Sequence, residues 1–234
     1  MKTPITKAKL KTHFTYSTWK YLLLVVCAIF AWNLVYEMTK PQIPEELRID
    51  IYIKSNTVTQ EHMQAFFEPI WQETVPEMQL VEGTTMLNSS EQDPYGQMQL
   101  VTYIAAGQGD IYILPENDFK QIASSKGFLP LGPLVEQGKI DISDIDVQSG
   151  RVTVLEYDDK GNIIPPAEDE NMELYGIPLN ALYGYMDGLQ LDNRNMYMAI
   201  LYRNQNDENV IPFFNALLQA GRGEKMDWLK ETEE

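Results

Sequence analysis

Few side chains in this chain stand where they could carry out covalent chemistry. Beyond residue 40 there is one histidine, His62, and no cysteine, so neither a Cys–His nor a Ser–His set can be assembled from more than that single base. No G-x-S-x-G, H-E-x-x-H or phosphate-binding glycine loop occurs. Glu116 and Asp118 are both carboxylates, but side chains two apart on a helix point in different directions. Asp141–Asp146, D-I-S-D-I-D, starts like a calcium loop and then fails it, because Gln148 interrupts the acidic ligands and no Glu closes the loop at the right spacing. A solvated acidic turn is expected there, and an ordinary surface histidine at His62. Catalysis is therefore not expected, and neither a cofactor nor a metal is implied.

Binding has a better seat. In residues 105–119, A-A-G-Q-G-D-I-Y-I-L-P-E-N-D-F, Gly107 and Gly109 supply the left-handed backbone that ends a helix. Asp110 to Leu114 is a short apolar, β-rich run suited to a strand covered on both faces, and Pro115 cannot extend its ladder. Glu116, Asn117 and Asp118 then offer helix-start chemistry. Helix, strand, helix is the repeating step of an open α/β sheet. Such sheets bind small ligands beyond the carboxyl ends of their strands, which draws attention to Pro115–Asn117.

The elements that must position that step emerge from the rest of the chain. The 234 residues carry a formal net charge of −16, distributed unevenly. Residues 1–43 hold six Lys against Glu37 alone, +5, which leaves −21 for the remainder. An acidic body repels phosphate backbones, so nucleic acid is not an expected partner. Residues 1–18 read as a basic cytoplasmic tail and residues 19–38 as a transmembrane signal-anchor helix, whose apolar core Tyr21–Tyr36 is interrupted only by Asn33. V-Y-E-M-T-K-P offers no small-x-small cleavage site, and Val26 before Cys27 does not fit a lipoprotein signal, so Cys27 is expected to be membrane-buried. The positive flank places the N-terminus in the cytoplasm and the acidic body outside the cell membrane.

Residues 39–47, with Pro41 and Pro44, form a linker; residues 48–223 form the extracytoplasmic domain and residues 224–234 a polar tail. Arg48–Ile53 predicts a first strand, and Met63, Phe66, Phe67, Ile70 and Trp71 recur at helical spacing up to Pro76. A second strand is expected at Met78–Val81, a loop at 83–95, and a helix at 96–106 burying Met98, Val101, Ile104 and Ala105. Gly127–Val135, G-F-L-P-L-G-P-L-V, is apolar and broken by Pro and Gly, so it should pack across helices or form a contact surface through Phe128, Leu129, Leu131 and Leu134. D-D-K-G predicts a β-hairpin between Arg151–Tyr157 and Asn162–Ile164, followed by an acidic loop at 165–171. Tyr175–Leu179 predicts a strand and Ala181–Met186 a loop. The pattern closes with a strand at 196–203 and a helix at about 208–220 that buries Val210, Phe213, Phe214, Leu217 and Leu218.

In this order, the first strand with its aromatic helix, A-A-G-Q-G-D-I-Y-I-L, G-F-L-P-L-G-P-L-V, L-Y-G-I-P-L-N-A-L-Y-G-Y-M and the final strand–helix pair resemble the first lobe of the carbohydrate-type extracellular solute-binding proteins of bacterial ABC importers, over residues 48–220. The resemblance implies a single α/β lobe of the type II periplasmic-binding-protein kind, with a mixed, mostly parallel central sheet. It implies a small solute, a sugar among others, at Ser55 and Asn56 after strand one, Gly83, Thr84 and Thr85 after strand two, Glu116 and Asn117 after strand three, and Asn180, Tyr183 and Tyr185, the tyrosines either stacking on a sugar ring or packing in the core or on the sheet face. It also implies an ABC permease or another envelope protein as partner. Family members are longer and have two lobes, whereas only residues 138–173 stand here where most of the second lobe belongs. A lone lobe cannot close on its solute, so weak binding or a second wall from a partner follows. The alternative is an envelope protein that keeps the lobe as a docking scaffold.

Overall fold

In the computed structural model of the chain the described residues are 7–39, 43–87, 94–157, 163–164, 172–202 and 207–223. Two compact units result, Met1–Gln42 and Ile43–Glu234. The first contains one helix, α1 (Lys7–Thr39). Its segment Thr18–Tyr36, 19 residues with mean hydropathy 1.7, is long and apolar enough to cross a membrane, and every side chain in it is exposed. At about 1.5 Å per residue those residues span roughly 28 Å, close to the ~30 Å of a hydrocarbon core.

The second unit is built on β1 (Arg48–Lys54), whose R-I-D-I-Y-I-K alternation sends Ile49, Ile51 and Ile53 to one face with no exposed surface. Thr59 caps α2 (Gln60–Thr74) by accepting a hydrogen bond from the His62 N–H, and Met63 and Phe67 lie over that isoleucine row. β2 (Leu80–Met86) returns parallel to β1 in unbroken register from Arg48↔Leu80 to Lys54↔Met86. Strand two is thus longer than the sequence suggests and takes in Gly83, Thr84 and Thr85, which were expected in a loop. The β-branched threonines suit a pleat, and the backbone at Gly83 is covered by Met63 and Phe67, where a Cβ would sit 2.5 Å from the Met63 sulfur.

α3 (Pro94–Ala105) buries Leu100 with Tyr103 and Ile104 beside it, while Met98 and Val101 are exposed at 70% and 47%. The apolar face lies about one position round from the expected one. Gly107 and Gly109 take positive φ, 66° and 80°, and end the helix as expected. β3 (Ile111–Pro115) then pairs parallel to β1, and α4 (Glu116–Ser124) follows without a break. Phe128 bridges antiparallel to Leu201, and α5 (Gly132–Glu136) follows. Phe128 and Leu131 are fully buried and Leu129 and Leu134 half-buried, so most of the expected contact surface is core.

β4 (Arg151–Thr153) and β5 (Glu156–Tyr157) replace a single expected strand. β5 pairs antiparallel with β6 (Ile163–Ile164), the predicted hairpin, whose turn and the following acidic loop lie outside the described residues. β4 pairs with β7 (Met172–Leu174). β8 is only Ile177–Pro178, and part of the expected loop is helical, α6 (Gly184–Leu189). β9 (Met196–Ile200) and α7 (Asp207–Gly221) complete the unit; Arg203 and the tail 224–234 lie outside the described residues.

The sheet order is β2-β1-β3-β9-β8. β9 is antiparallel to both neighbours, so four strands run one way and one against them, a mixed, mostly parallel sheet. Alternation along β3 and β9 feeds both faces. Ile111, Ile113, Met198 and Ile200 join α2, α6 and α7 residues, while Tyr112, Leu114, Tyr197 and Ala199 join Leu100, Phe119, Ile122 and Ala123 from α3 and α4. Burial on both faces explains why these strands read as continuous apolar runs.

Asp141 ties the 141–146 turn to the end of α7. It accepts from the Ser143 N–H at 2.9 Å, from Gln219 Nε2 at 3.1 Å and from Arg222 Nη1 at 3.0 Å, and its own N–H donates to Asn215 Oδ1 at 2.8 Å. The turn expected to be merely solvated is therefore a clamp. The Ser143 hydroxyl first, then Arg222, hold the Asp141 carboxyl well below its ordinary value of 3.8. A depressed folded-state pKa gives stability that is fully present above the unfolded value and lost as pH falls toward the folded one. The Asp141→Asn variant should therefore melt below the parent at about pH 6, and the gap should narrow steadily as pH falls below about 4; a gap unchanged across scanning calorimetry runs on both sides of that pH would contradict the clamp.

Candidate functional site

β1 leads through α2 to β2 on one side, and the chain then returns to lay β3 on the other side of β1. That reversal leaves the carboxyl ends of β1 and β3 side by side with connections diverging from them, the place where an open α/β sheet forms a crevice. Because β9 runs against them, its amino end arrives at the same edge. A crevice of about 350 Å³ lies there, lined by Lys54–Thr57 from the end of β1, Pro115–Asn117 from the end of β3, and Leu191, Asp192 and Arg194–Met196 from the approach to β9. A larger groove of about 880 Å³ runs between α2 and α7, lined by Ile70, Ile211, Pro212 and Ala216 among others. It also carries Glu73, Thr74, Lys139, Glu208, Asn215 and Gln219, but it includes no strand-end residue, so the smaller crevice is the one that the rule for open α/β sheets points to.

The walls of the crevice are braced by short hydrogen bonds. The Ser55 N–H donates to Met86 O at 3.0 Å, and Thr57 Oγ1 donates to Gln190 O at 2.7 Å, joining the β1 loop to the β9 approach. The Glu116 N–H donates to Asn195 O at 2.9 Å, joining the start of α4 to that same approach. Asn195 is held at φ 55°, and its N–H donates to Asn180 Oδ1 at 2.7 Å. Three walls from three parts of the chain are thereby fixed relative to one another.

Charges in the crevice come in pairs. At its floor, the Lys54 ammonium donates to Asp118 Oδ2 at 2.7 Å, with the side chains only 7% and 8% exposed. Lys120 reaches back one turn along α4 to Glu116, which raises the Lys120 pKa. Arg194 donates to both Asp192 oxygens, at 2.8 and 2.6 Å, and this hydrogen bonding lowers the Asp192 carboxyl while raising the guanidinium. The arrangement presents donors and acceptors of both signs, and among the described residues its lining places no nucleophile beside a base.

Of the sequence-predicted residues, Ser55, Asn56, Glu116 and Asn117 come together in the crevice lining. Asn180 stands behind it as a brace for Asn195. Thr84 and Thr85 are exposed within β2 and do not reach the lining, because the strand continues past them. Tyr183 is half-buried at the start of α6, outside the lining. Tyr185 is fully buried, and its hydroxyl donates to Leu217 O at 2.9 Å; burial pushes its pKa upward. Neither tyrosine is placed to stack on a ligand in the crevice. The sequence reading missed Lys54, Thr57, Leu191, Asp192, Arg194, Asn195 and Met196. L-D-N-R-N-M, an Asx-rich turn before the last strand, carried the signal for the latter five, and only the antiparallel direction of β9 brings it to this end of the sheet.

Neither a protein-family model nor a curated sequence matches the chain. Among solved structures, similar chains are solute-binding proteins. One is an extracellular solute-binding protein family 1 from Alicyclobacillus acidocaldarius, with 18% identity over 60% of this chain and 28% of that one and a TM-score of 0.38. A second is an ABC substrate-binding protein from Listeria monocytogenes in complex with cycloalternan, with 17% identity over 55% and 28% and a TM-score of 0.35. A third is a spermidine/putrescine ABC transporter substrate-binding protein from Streptococcus pneumoniae, with 13% identity over 74% and 78% and a TM-score of 0.38. The chain spans 28% of the length of the first two.

Proposed function

We propose that this protein is a membrane-anchored, extracytoplasmic binding module that holds a small polar solute at the strand-end crevice and hands it to, or presents it with, an ABC permease, without chemistry of its own. One observation carries the reading: the carboxyl ends of β1 and β3 and the amino end of β9 converge on a braced polar crevice at the point where the strand order reverses. The exposed apolar segment Thr18–Tyr36 and the basic flank before it support the anchor and its orientation. The expectation of a sugar came from the resemblance to carbohydrate-type solute-binding proteins, with Tyr183 and Tyr185 as its stacking surfaces; with both outside the lining, we read the solute as small and polar without that preference. The docking-scaffold alternative drew on the Gly127–Val135 face, in which Phe128 and Leu131 are buried and Leu129 and Leu134 half-buried.

A ligand that binds only the folded state raises its melting temperature. The full chain in lipid nanodiscs, screened against sugars, amino acids, polyamines and small anions, should show an upward shift with one solute class. That shift should disappear in Asn117→Trp, whose indole would occupy the crevice mouth. A shift that survives this change would place the ligand elsewhere and end the crevice reading.

A further inference from the structure

Resting on the crevice reading above, we infer that its solute is a small zwitterion of the α-amino-acid type, its carboxylate held by Lys54 and its ammonium by Glu116. The Lys54 ammonium lines the crevice with 7% of its side chain exposed, and Asp118 takes one of its three N–H groups. Among the described residues the other two make no hydrogen bond, so a lining residue of a polar crevice keeps two charge-bearing donors for a ligand. A carboxylate is the acceptor that uses two such donors best.

At the other wall, the Glu116 carboxylate is bonded, among the described residues, to the half-exposed Lys120 side chain alone. Partly exposed pairs of this kind contribute little and exchange partners readily, so the Glu116 carboxylate can turn to a ligand ammonium. Asp192 and Arg194, paired with each other at the rim, repeat the balance of signs. Lys54 with Asp118, Lys120 with Glu116 and Arg194 with Asp192 leave the crevice with no excess charge. A solute of net charge would bring an uncompensated ion into it, whereas a zwitterion keeps it neutral.

The lining also weighs against a sugar. Its apolar members are Pro115, Leu191 and Met196, and none of the lining residues is aromatic. A pyranose therefore lacks a ring to cover its C–H face, the contact that aromatic side chains supply.

The test is calorimetric titration of the full chain in nanodiscs with glycine, L-serine and L-glutamine as zwitterions. L-serine methyl ester serves as the cation alone, N-acetyl-L-serine as the anion alone, and D-glucose and erythritol as neutral polyols. At least one zwitterion should bind, and L-serine methyl ester and N-acetyl-L-serine should bind at least about tenfold more weakly than L-serine because each loses one charged contact. The double variant Lys54→Met/Asp118→Leu, which removes both buried charges and leaves neither unpaired, should weaken zwitterion binding by about tenfold or more while melting as a single cooperative unit. Binding of glucose or erythritol that Asn117→Trp abolishes, with no zwitterion binding, would overturn the zwitterion and leave the crevice standing. Zwitterion binding that Asn117→Trp leaves intact would overturn both. Equal affinity for serine and its methyl ester would overturn the role of Lys54.

Discussion

Lys54→Met is expected to cost about 3–5 kcal/mol of folding stability, because it strands a charge that has no solvent to turn to. Asp118 is 6% exposed on the first turn of α4, and its Oδ2 accepts from Lys54 at 2.7 Å across 64 residues of sequence. Removing the ammonium leaves a carboxylate facing the sheet. Replacing both partners by apolar side chains instead removes the desolvation of two ions at once, which is often neutral or stabilising. Lys54→Met/Asp118→Leu should therefore recover most of the loss, and chemical denaturation of the two variants provides the comparison. Equal destabilisation in the single and double variants would contradict a cost that arises from the stranded Asp118 charge.

Phe119→Ala should cost a similar amount, about 3–5 kcal/mol, for the unrelated reason that nothing can collapse into the space it leaves. Its ring has no exposed surface and stacks on Tyr197 with centroids 4.7 Å apart and on Phe128 at 5.9 Å. Gly176 closes the remaining side, where an added Cβ would stand 2.5 Å from the ring. Three separate segments meet on one side chain, so truncation opens a void bounded by rigid rings and backbone. Phe119→Leu should recover part of the loss, and urea titration of both variants measures it. If Phe119→Ala cost less than about 1 kcal/mol, the stack would be filled from elsewhere.

The sequence was most legible where one residue type answers to one backbone need. Gly107 and Gly109 marked the end of α3, Pro115 marked the end of β3, and the Glu-Asn-Asp run marked the start of α4; together they located the crevice wall at the end of β3, while the alternation of Arg48–Ile53 located the wall at the end of β1. It was least legible where tertiary contact overrides local pattern. Residues 83–86 looked like loop until the whole of β1 offered itself as a parallel partner. The buried side of α3 could not be told from Met98, Val101, Ile104 and Ala105, because that helix carries apolar residues on more than one face. The third wall was hidden for another reason: its Asx-rich turn gains meaning only from the direction of β9. Lys54, at the end of an apolar alternation, gave no local sign that Asp118 would meet it. Tyr183 and Tyr185 show the converse case, since proximity to the strand ends in sequence does not tell a wall residue from a core one.

The antiparallel seat of β9 also has a cost in time. β3 is covered by β1 on one edge alone until β9 arrives roughly 80 residues later, and at about 5–20 residues per second the interval during synthesis is on the order of 4–16 s. Through that interval the nascent chain exposes an unpaired strand, Ile111–Leu114, whose side chains are all destined for the interior. Such an edge invites pairing with any extended chain nearby. The finished sheet is thus exposed to its greatest hazard before it exists, and a holding factor at the site of emergence, or slow release of the last strand, would decide how much of the protein reaches its folded state.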